Sequence, residues 1–518
     1  MVKGNNSDRK RGRVSRRRFV QAASASGIAV GLAGCVGGGG NNNNNNGGGG
    51  SGDTETPIST EPPEEEVTVQ IAADSNFKGA SDAIIQTMRE NGGLPDNIQV
   101  EFIAGSFESG DRRAKYQQLL SAGQENPAII MMDNGWTIPF IARNQLQNLS
   151  ASLPESIIST VQDTYLSNML ATASGQNGDL YGIPLFADFP TIQYRKDVLR
   201  EAGYGDSDFD SWATESMTWS DFSTVVADGK EVLSGQLDDP SRAQGFNWQG
   251  DAYVGLACCD FVEFMSSWGG SYFGEFGNLF GPVGDRPITV EEEPVINAIR
   301  MMRTFIHGQD DPESLEGYEQ ISPEAVVQYT EEPSREPFTQ GRAVALRNWP
   351  YSIRINAAED AFGEDLGVMP LPYQVTAEES KYGPEIGGIP SALGGWHLAL
   401  NPNASETVKQ GAVQVFRALQ DDQVRLDLFE IGGWIPPIPD LIATDQTREL
   451  EPIGRYVDQL KVAGENAVPR PVTVAWPQQS TQVSKEVNAS IRQQKSPADA
   501  MASLASSLAD LEERASQG

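Results

Sequence analysis

Val67-Thr68-Val69-Gln70-Ile71 alternates apolar and polar side chains, the period of a half-buried strand, and the residues after it decide the fold class. Residues 81–90 carry a helical pattern, 98–103 a second strand, 112–122 a second helix, and 128–132 a short apolar run that ends at Asp133. Strand and helix in regular alternation predict an α/β domain built on a mainly parallel sheet covered by helices. Ligands of such sheets sit at the carboxyl ends of the strands. Asp133 and the neighbouring Trp136 are therefore candidate site residues on position alone.

Working outward towards the C-terminus, residues 180–188 and 191–194 read as two extended runs separated by Pro190, followed by a helix over 196–202. A second set follows, with helices over 220–234, 253–267 and 295–307, an extended run at 246–248, and strands at 343–347 and 366–369. Pro370, Pro372, Pro384 and Pro390 punctuate a loop before Gly394-Gly395-Trp396 and a strand at 397–400, and helical patterns dominate from 406 onward. A chain of 518 residues exceeds what one core usually organises, so two lobes are expected.

Towards the N-terminus, Ser15-Arg16-Arg17-Arg18-Phe19-Val20 matches the twin-arginine export pattern, and the apolar stretch 22–33 is too short to span a bilayer. It ends in Leu32-Ala33-Gly34-Cys35, the form of a lipobox whose Cys35 becomes a lipidated N-terminus. A cytoplasmic basic tail with a chance Ala-rich run would not place basic region, apolar region and cleavage-site cysteine in that order. Residues 36–66, rich in Gly, Asn, Thr, Pro and Glu, cannot bury enough apolar area to offset their ordering entropy and predict a flexible tether. Residues 1–35 are thus an export and anchoring segment, 36–66 the tether, and 67–518 the folded body.

The chain has 71 acidic and 38 basic residues; eight of the basic but one of the acidic precede Cys35, so 30 basic and 70 acidic residues follow it, a net of −40. Nucleic acid is excluded as a partner, because a polyanion is repelled over most of such a surface. Only nine lysines follow Cys35, and a carboxylate-rich, lysine-poor surface suits a medium whose salt screens self-repulsion to a few ångströms; an acidic protein of ordinary surroundings is the plainer alternative. Three cysteines provide no disulfide framework. Cys258 and Cys259 are adjacent, and since neighbouring cysteines pair only through a strained ring, they are expected to be small buried residues on a helix.

No phosphate-cradling glycine loop, dinucleotide fingerprint or nucleophile elbow occurs, and His307 and His397 are isolated, without zinc spacing. His397, inside a predicted strand, reads as a core histidine rather than a general base. No catalytic residue, metal or cofactor is assigned. Seven tryptophans (Trp136, Trp248, Trp268, Trp349, Trp396, Trp434 and Trp476) each lie beside Gly, Pro, Asn or Gln. Sugars present flat C–H faces ringed by hydroxyls, so their sites pair aromatic planes with carboxylate, amide and guanidinium groups; about half of the seven are expected to be core packing.

Over residues 67–513 the chain resembles the extracellular solute-binding proteins of ABC sugar importers, and among them the archaeal trehalose/maltose-binding proteins. The resemblance is carried by Ile130-Met131-Met132-Asp133 with Trp136, Tyr181-Gly182-Ile183-Pro184 with Asp188, Tyr194-Arg195-Lys196-Asp197, Trp248-Gln249-Gly250, Cys259-Asp260-Phe261-Val262-Glu263, Arg347-Asn348-Trp349-Pro350-Tyr351, Leu393-Gly394-Gly395-Trp396-His397 and Ala467-Val468-Pro469-Arg470-Pro471, in that order. It implies a two-lobed periplasmic-binding-protein-like α/β fold with a ligand cleft between lobes joined by crossover segments. Lobe 1 would comprise about 67–189 and 394–437, and lobe 2 about 190–372 with the C-terminal helices of 438–518.

Carried over by position, Arg112, Asp133, Asp188 and Arg470 would hydrogen-bond sugar hydroxyls, Trp349 and Trp396 would stack on rings, Gly395 would offer a backbone N–H, and Trp248 would join the ligand-binding set. Two departures bear on the sugar's identity: Phe186 stands where a Tyr is usual, and the loop 74–78 after the first strand matches poorly. The function implied is capture of a trehalose- or maltose-like di- or oligosaccharide and delivery to permease transmembrane subunits, from a lipid anchor on the outer face of the cell membrane. A polyol or glycerol-3-phosphate ligand, and a secreted glycoside hydrolase, are the alternatives. A phosphate would want a basic cleft, and a hydrolase a carboxylate pair about 5 to 9 Å apart.

Overall fold

The computed structural model describes residues 57–106 and 108–517; the twin-arginine pattern, Cys35 and most of the expected tether lie outside them, and the described end of that tether is packed rather than free, with Ile58 buried in the first core and its N–H donating to the Ser152 carbonyl at 2.8 Å. Eleven strands are labelled here in chain order: β1 (Val67–Ala73), β2 (Ile98–Ala104), β3 (Ile129–Asp133), β4 (Gly182–Asp188), β5 (Thr191–Arg195), β6 (Gln244–Asn247), β7 (Ala343–Asn348), β8 (Leu366–Met369), β9 (Ser391–Ala392), β10 (Gly394–Leu400) and β11 (Ala467–Val468). They form a five-stranded sheet of order β2-β1-β3-β10-β4, a four-stranded sheet of order β6-β7-β5-β8, and a two-stranded pairing of β11 with β9. Each large sheet centres one lobe.

The expected mainly parallel sheets are instead mixed. β1 is parallel to β2 and β3, but β10 is antiparallel to β3 and β4. In the second sheet β6 and β7 are parallel, while β5 runs against both β7 and β8. The reversed strands are those that enter a sheet directly from a crossover, β5 after Phe189-Pro190 and β10 after Ser391–Ala392. A strand coming in from the other lobe must start at the edge where its neighbours end.

The first core gathers the inward faces of β1, β2 and β3 with the helices Ser81–Glu90 and Glu406–Leu419. The second packs the helices Trp219–Gln236 and Glu293–His307 with the last two, Trp476–Ile491 and Pro497–Ser516. Local signals explain these helices. Thr218 and Ser496 cap theirs by accepting from the Asp221 and Asp499 N–H groups, and in the last helix Ala500, Met501, Leu504 and Leu508 put one apolar stripe inward. Between the lobes a third cluster joins Phe189, Leu393, Ile435 and Tyr456 around the crossovers.

The strand β9 lies on the crossover that returns the chain to the first lobe, and β11, from the C-terminal part of the chain, pairs with it side by side. Ser391 ties β9 to the crossover at Pro190, since its Oγ donates to the Pro190 carbonyl at 3.0 Å.

Two expectations are corrected. Trp248 does not reach the cleft: its ring is fully buried in the second core against Phe264, and its indole N–H donates to Ser322 Oγ. Cys258 and Cys259 are buried on a helical segment as expected, but that segment is a π turn, Leu256–Asp260, and the two are joined by a disulfide. Because Trp248 is packing, Trp248→Ala should cost about 3–5 kcal/mol of stability. Its ligand-free melting temperature should fall well below wild type while the protein that remains folded keeps wild-type ligand affinity, as thermal denaturation and calorimetry would show.

Candidate cleft between the lobes

Asp74, Asp133 and Asp188 stand at or just past the carboxyl ends of β1, β3 and β4, and Trp349 follows the end of β7. Because β10 runs the other way, its first residues, Gly394 to Trp396, lie on the same edge. These edges face each other around a cavity partly open to solvent, with about 840 Å³ of atom-free space when the open part is counted. The lobes are closed on it: a Cβ added to Gly394 would stand 2.5 Å from Trp349 Cζ3. Gly395 has φ +124°, and a Cβ there would meet the Phe186 carbonyl at 2.7 Å, so only glycine lets β10 start this close to β4.

The first-lobe wall is built on two arginines. Arg112, almost fully buried, packs its guanidinium 4.2 Å over the Trp396 ring and brings Nη1 to 3.3 Å from Asp74. Trp396 is held in turn edge-on by Trp136 at 5.5 Å. Asp74 is itself fixed, accepting from the Phe77 N–H as the cap of a short helix. Arg470 donates from Nη1 to Asp133 Oδ1 at 2.8 Å, and that carboxylate also accepts from the Gly135 N–H. Arg112 Nε and Nη1 and Arg470 Nε have no hydrogen-bond partner among the described residues. Buried donors left in this state favour a ligand that supplies oxygen acceptors.

Across the cavity, Arg347 is buried in a polar network. Its Nε and Nη2 hold both oxygens of Glu263 at 2.7 and 2.8 Å, Nη1 donates to Gln249, and Asp260 lies 3.3 Å away. Trp349 lies with its ring 4.8 Å from that guanidinium. Burial pushes the carboxyls of Asp260 and Glu263 up, and Arg347 opposes the rise. Asp188 is raised well above the usual carboxylate range by burial and then by Asp74, with Arg347 opposing; this favours the neutral acid, which donates as well as accepts. His397 is fully buried, held by burial at about 3, with Nε2 2.9 Å from Thr172 Oγ1. It is a neutral core residue with no base role.

Of the eight residues expected at the ligand, Arg112, Asp133, Asp188, Trp349, Gly395, Trp396 and Arg470 are brought together around this cavity, and Trp248 is not. Sequence reasoning passed over Asp74, Glu331 and the two cysteines, which also line it, as does Trp434 from the set of seven tryptophans. Asp74 carried a signal, since it directly follows the first strand. Trp349, Trp396 and Trp434 are the loop tryptophans at the cavity, while Trp136, Trp248, Trp268 and Trp476 pack in cores.

The sequence profile for the bacterial extracellular solute-binding protein family matches residues 83–451. The chain belongs to that family. Among its relatives, a probable ABC transporter-binding protein of Deinococcus radiodurans is 28% identical over 420 residues, 80% of this chain and 87% of the relative. Among solved structures, the maltose-bound MalE3 of T. maritima superposes with a TM-score of 0.69 at 25% identity, covering 86% of this chain and 99% of the other. The GacH receptor of Streptomyces glaucescens, solved unliganded and with acarbose, gives a TM-score of 0.65 at 17% identity, covering 86% and 98%; at that identity the likeness is one of fold. The two-lobed α/β fold is therefore the one expected, and a solute-binding protein of this family holds its ligand without transforming it. No helix among the described residues is long and apolar enough to cross a membrane, and no group of three or more His, Cys, Asp or Glu there could hold a metal.

This solute-binding protein has a titrating group in its cleft. Glu331 accepts from the Tyr253 hydroxyl at 2.9 Å, and burial first, then Glu108, pushes its carboxyl up to about 7. A carboxyl raised in the folded state contributes stability that is complete below its unfolded value and is lost as pH rises through the folded one. For Glu331 that window runs from 4.5 to about 7. Between those values the wild-type melting temperature should fall more steeply than that of Glu331→Gln, as scanning calorimetry across the window would show; equal slopes would remove Glu331 from this account.

Proposed function

We propose that this protein captures a trehalose- or maltose-like di- or oligosaccharide outside the cell membrane and delivers it to the permease subunits of an ABC importer. The observation that carries the reading is the lining of one cavity between the lobes. Two tryptophan rings come to it from different lobes, Trp349 and Trp396, and with them in its lining are unpaired guanidinium N–H groups and four carboxyl groups. Rings rest on the C–H faces of a sugar while the polar groups take its hydroxyls. The maltose named in the T. maritima structure and the acarbose named for GacH are in keeping with this. The name of the Deinococcus radiodurans relative supports the transporter.

A phosphorylated polyol fits less well. Both cleft arginines already face carboxylates, Arg112 facing Asp74 and Arg470 facing Asp133, and Asp188 and Glu331 add acid to the same cavity. A dianion entering there would meet no excess of positive charge.

Titration calorimetry against maltose, trehalose and a panel of other sugars and polyols in molar salt tests the proposal. Trp349→Ala and Trp396→Ala each remove a ring contact worth roughly 2 kcal/mol, and Asp188→Ala removes hydrogen bonding of comparable size. Each should weaken sugar binding at least tenfold with little change in ligand-free melting; a large melting loss with normal affinity would make these residues packing rather than site.

Anchoring at Cys35 belongs to the same reading, a single lipid and the tether forming the membrane attachment. Cys35→Ala should move the protein from the membrane fraction to the medium, as fractionation would show.

A further inference from the structure

The bonded pair Cys258–Cys259 has no part in the hydrogen-bonding scheme above, yet its position is an unusual one. Val254, Gly255, Cys258 and Cys259 all line the cavity from the second lobe. Cys258 and Cys259 pack with Ala392 of β9, and the Trp349 ring lies against that cluster. We propose that the disulfide is itself a ligand-contacting, specificity-determining surface, a second apolar platform beside Trp349 on which a saccharide C–H face rests. The proposal depends on the cleft being the sugar site.

Helical geometry supplies the argument. Consecutive residues of a helix point about 100° apart, so two free thiols at 258 and 259 could not both face the cavity. The bond holds both sulfurs on one side, and it does so where the helix widens into the π turn Leu256–Asp260, a feature that recurs at functional sites.

The platform is also held rigidly from behind. The Tyr272 hydroxyl donates to the Ala257 carbonyl at 2.8 Å, Asp260 accepts from the Gln249 N–H at 2.9 Å, and Glu263 is clamped by Arg347. These contacts hold the turn from the side away from the cleft. Chemically, a disulfide presents two polarisable sulfurs and no N–H or O–H, which suits an apolar sugar face. Reduction would place two S–H groups there and release the constraint that aims them. The family's extracellular setting is one in which disulfides persist.

The test uses the full-length protein. Mass spectrometry of the unreduced peptide containing both cysteines should find it two hydrogens lighter than the reduced peptide. Maltose and trehalose affinities are then measured on untreated protein, on protein held in tris(2-carboxyethyl)phosphine, and on Cys258→Ala/Cys259→Ala. The phosphine delivers two electrons to the S–S bond, the sulfurs take two protons, and the phosphine becomes its oxide with oxygen from water.

Reduction and the double variant should each weaken binding about tenfold, or change the preference between the two sugars, with little change in ligand-free melting. Unchanged affinities, or a peptide of dithiol mass in untreated protein, would overturn the proposal while leaving the sugar cleft standing. Loss of folding on both reduction and substitution would also overturn it, making the pair a structural staple. If the untreated protein binds no sugar of the panel, the cleft reading fails and this proposal fails with it.

Discussion

The buried guanidinium of Arg347 is the fixed point of the second lobe's cleft wall. An arginine at this depth persists only because its donors are matched, by both oxygens of Glu263, by Gln249 and by the nearby Asp260. Glu263 has one more partner, the Ala392 N–H at 2.9 Å. A single carboxylate thus joins a strand of the second sheet, the helix after the π turn, and a crossover strand between the lobes. Removing one member of such a network costs about 3–5 kcal/mol, because the remaining charge is left buried without its partner. The tryptophan that faces the first lobe is carried on that platform.

The first lobe solves the opposite problem. Arg112 and Arg470 are also buried, but each keeps N–H groups without a protein partner. Their charge is balanced by Asp74 and Asp133, so the site offers directional donors without a strong net field. One wall of the cleft is therefore saturated and rigid, and the other is neutralised but unsatisfied. A ligand rich in oxygen and poor in charge is what such a pair of walls selects.

Much of this was legible before any coordinates. The alternation beginning at Val67 and the apolar run ending at Asp133 placed acids at strand ends, and a sheet's geometry brings strand ends together whatever lies between them in sequence. Strand direction was not legible: β5 and β10 are reversed by the crossovers that deliver them, a tertiary constraint with no local pattern. Trp248 was misplaced because an extended run beside Gln249 and Gly250 does not reveal which face of the sheet is covered. Cys258 and Cys259 read correctly as buried and helical, but a π turn leaves no mark in a 3.6-residue period, so their joint access to the cleft was invisible. Asp74 directly follows a strand, but it opens a loop that matches the family poorly, so only its position in the fold marks it.

The crossovers carry a consequence beyond holding two lobes on one chain. Three ribbons lie there, two paired as β9 and β11 and the third fastened through Ser391 to Pro190. One ribbon would leave the lobes free to twist, slide and bend, whereas ribbons fastened side by side narrow that freedom towards hinge bending. The number of ways the molecule can be open is thereby reduced. Whether the cleft is filled becomes an angle, and an angle is something another protein can sense from the outer rims of the lobes without ever touching what is held between them.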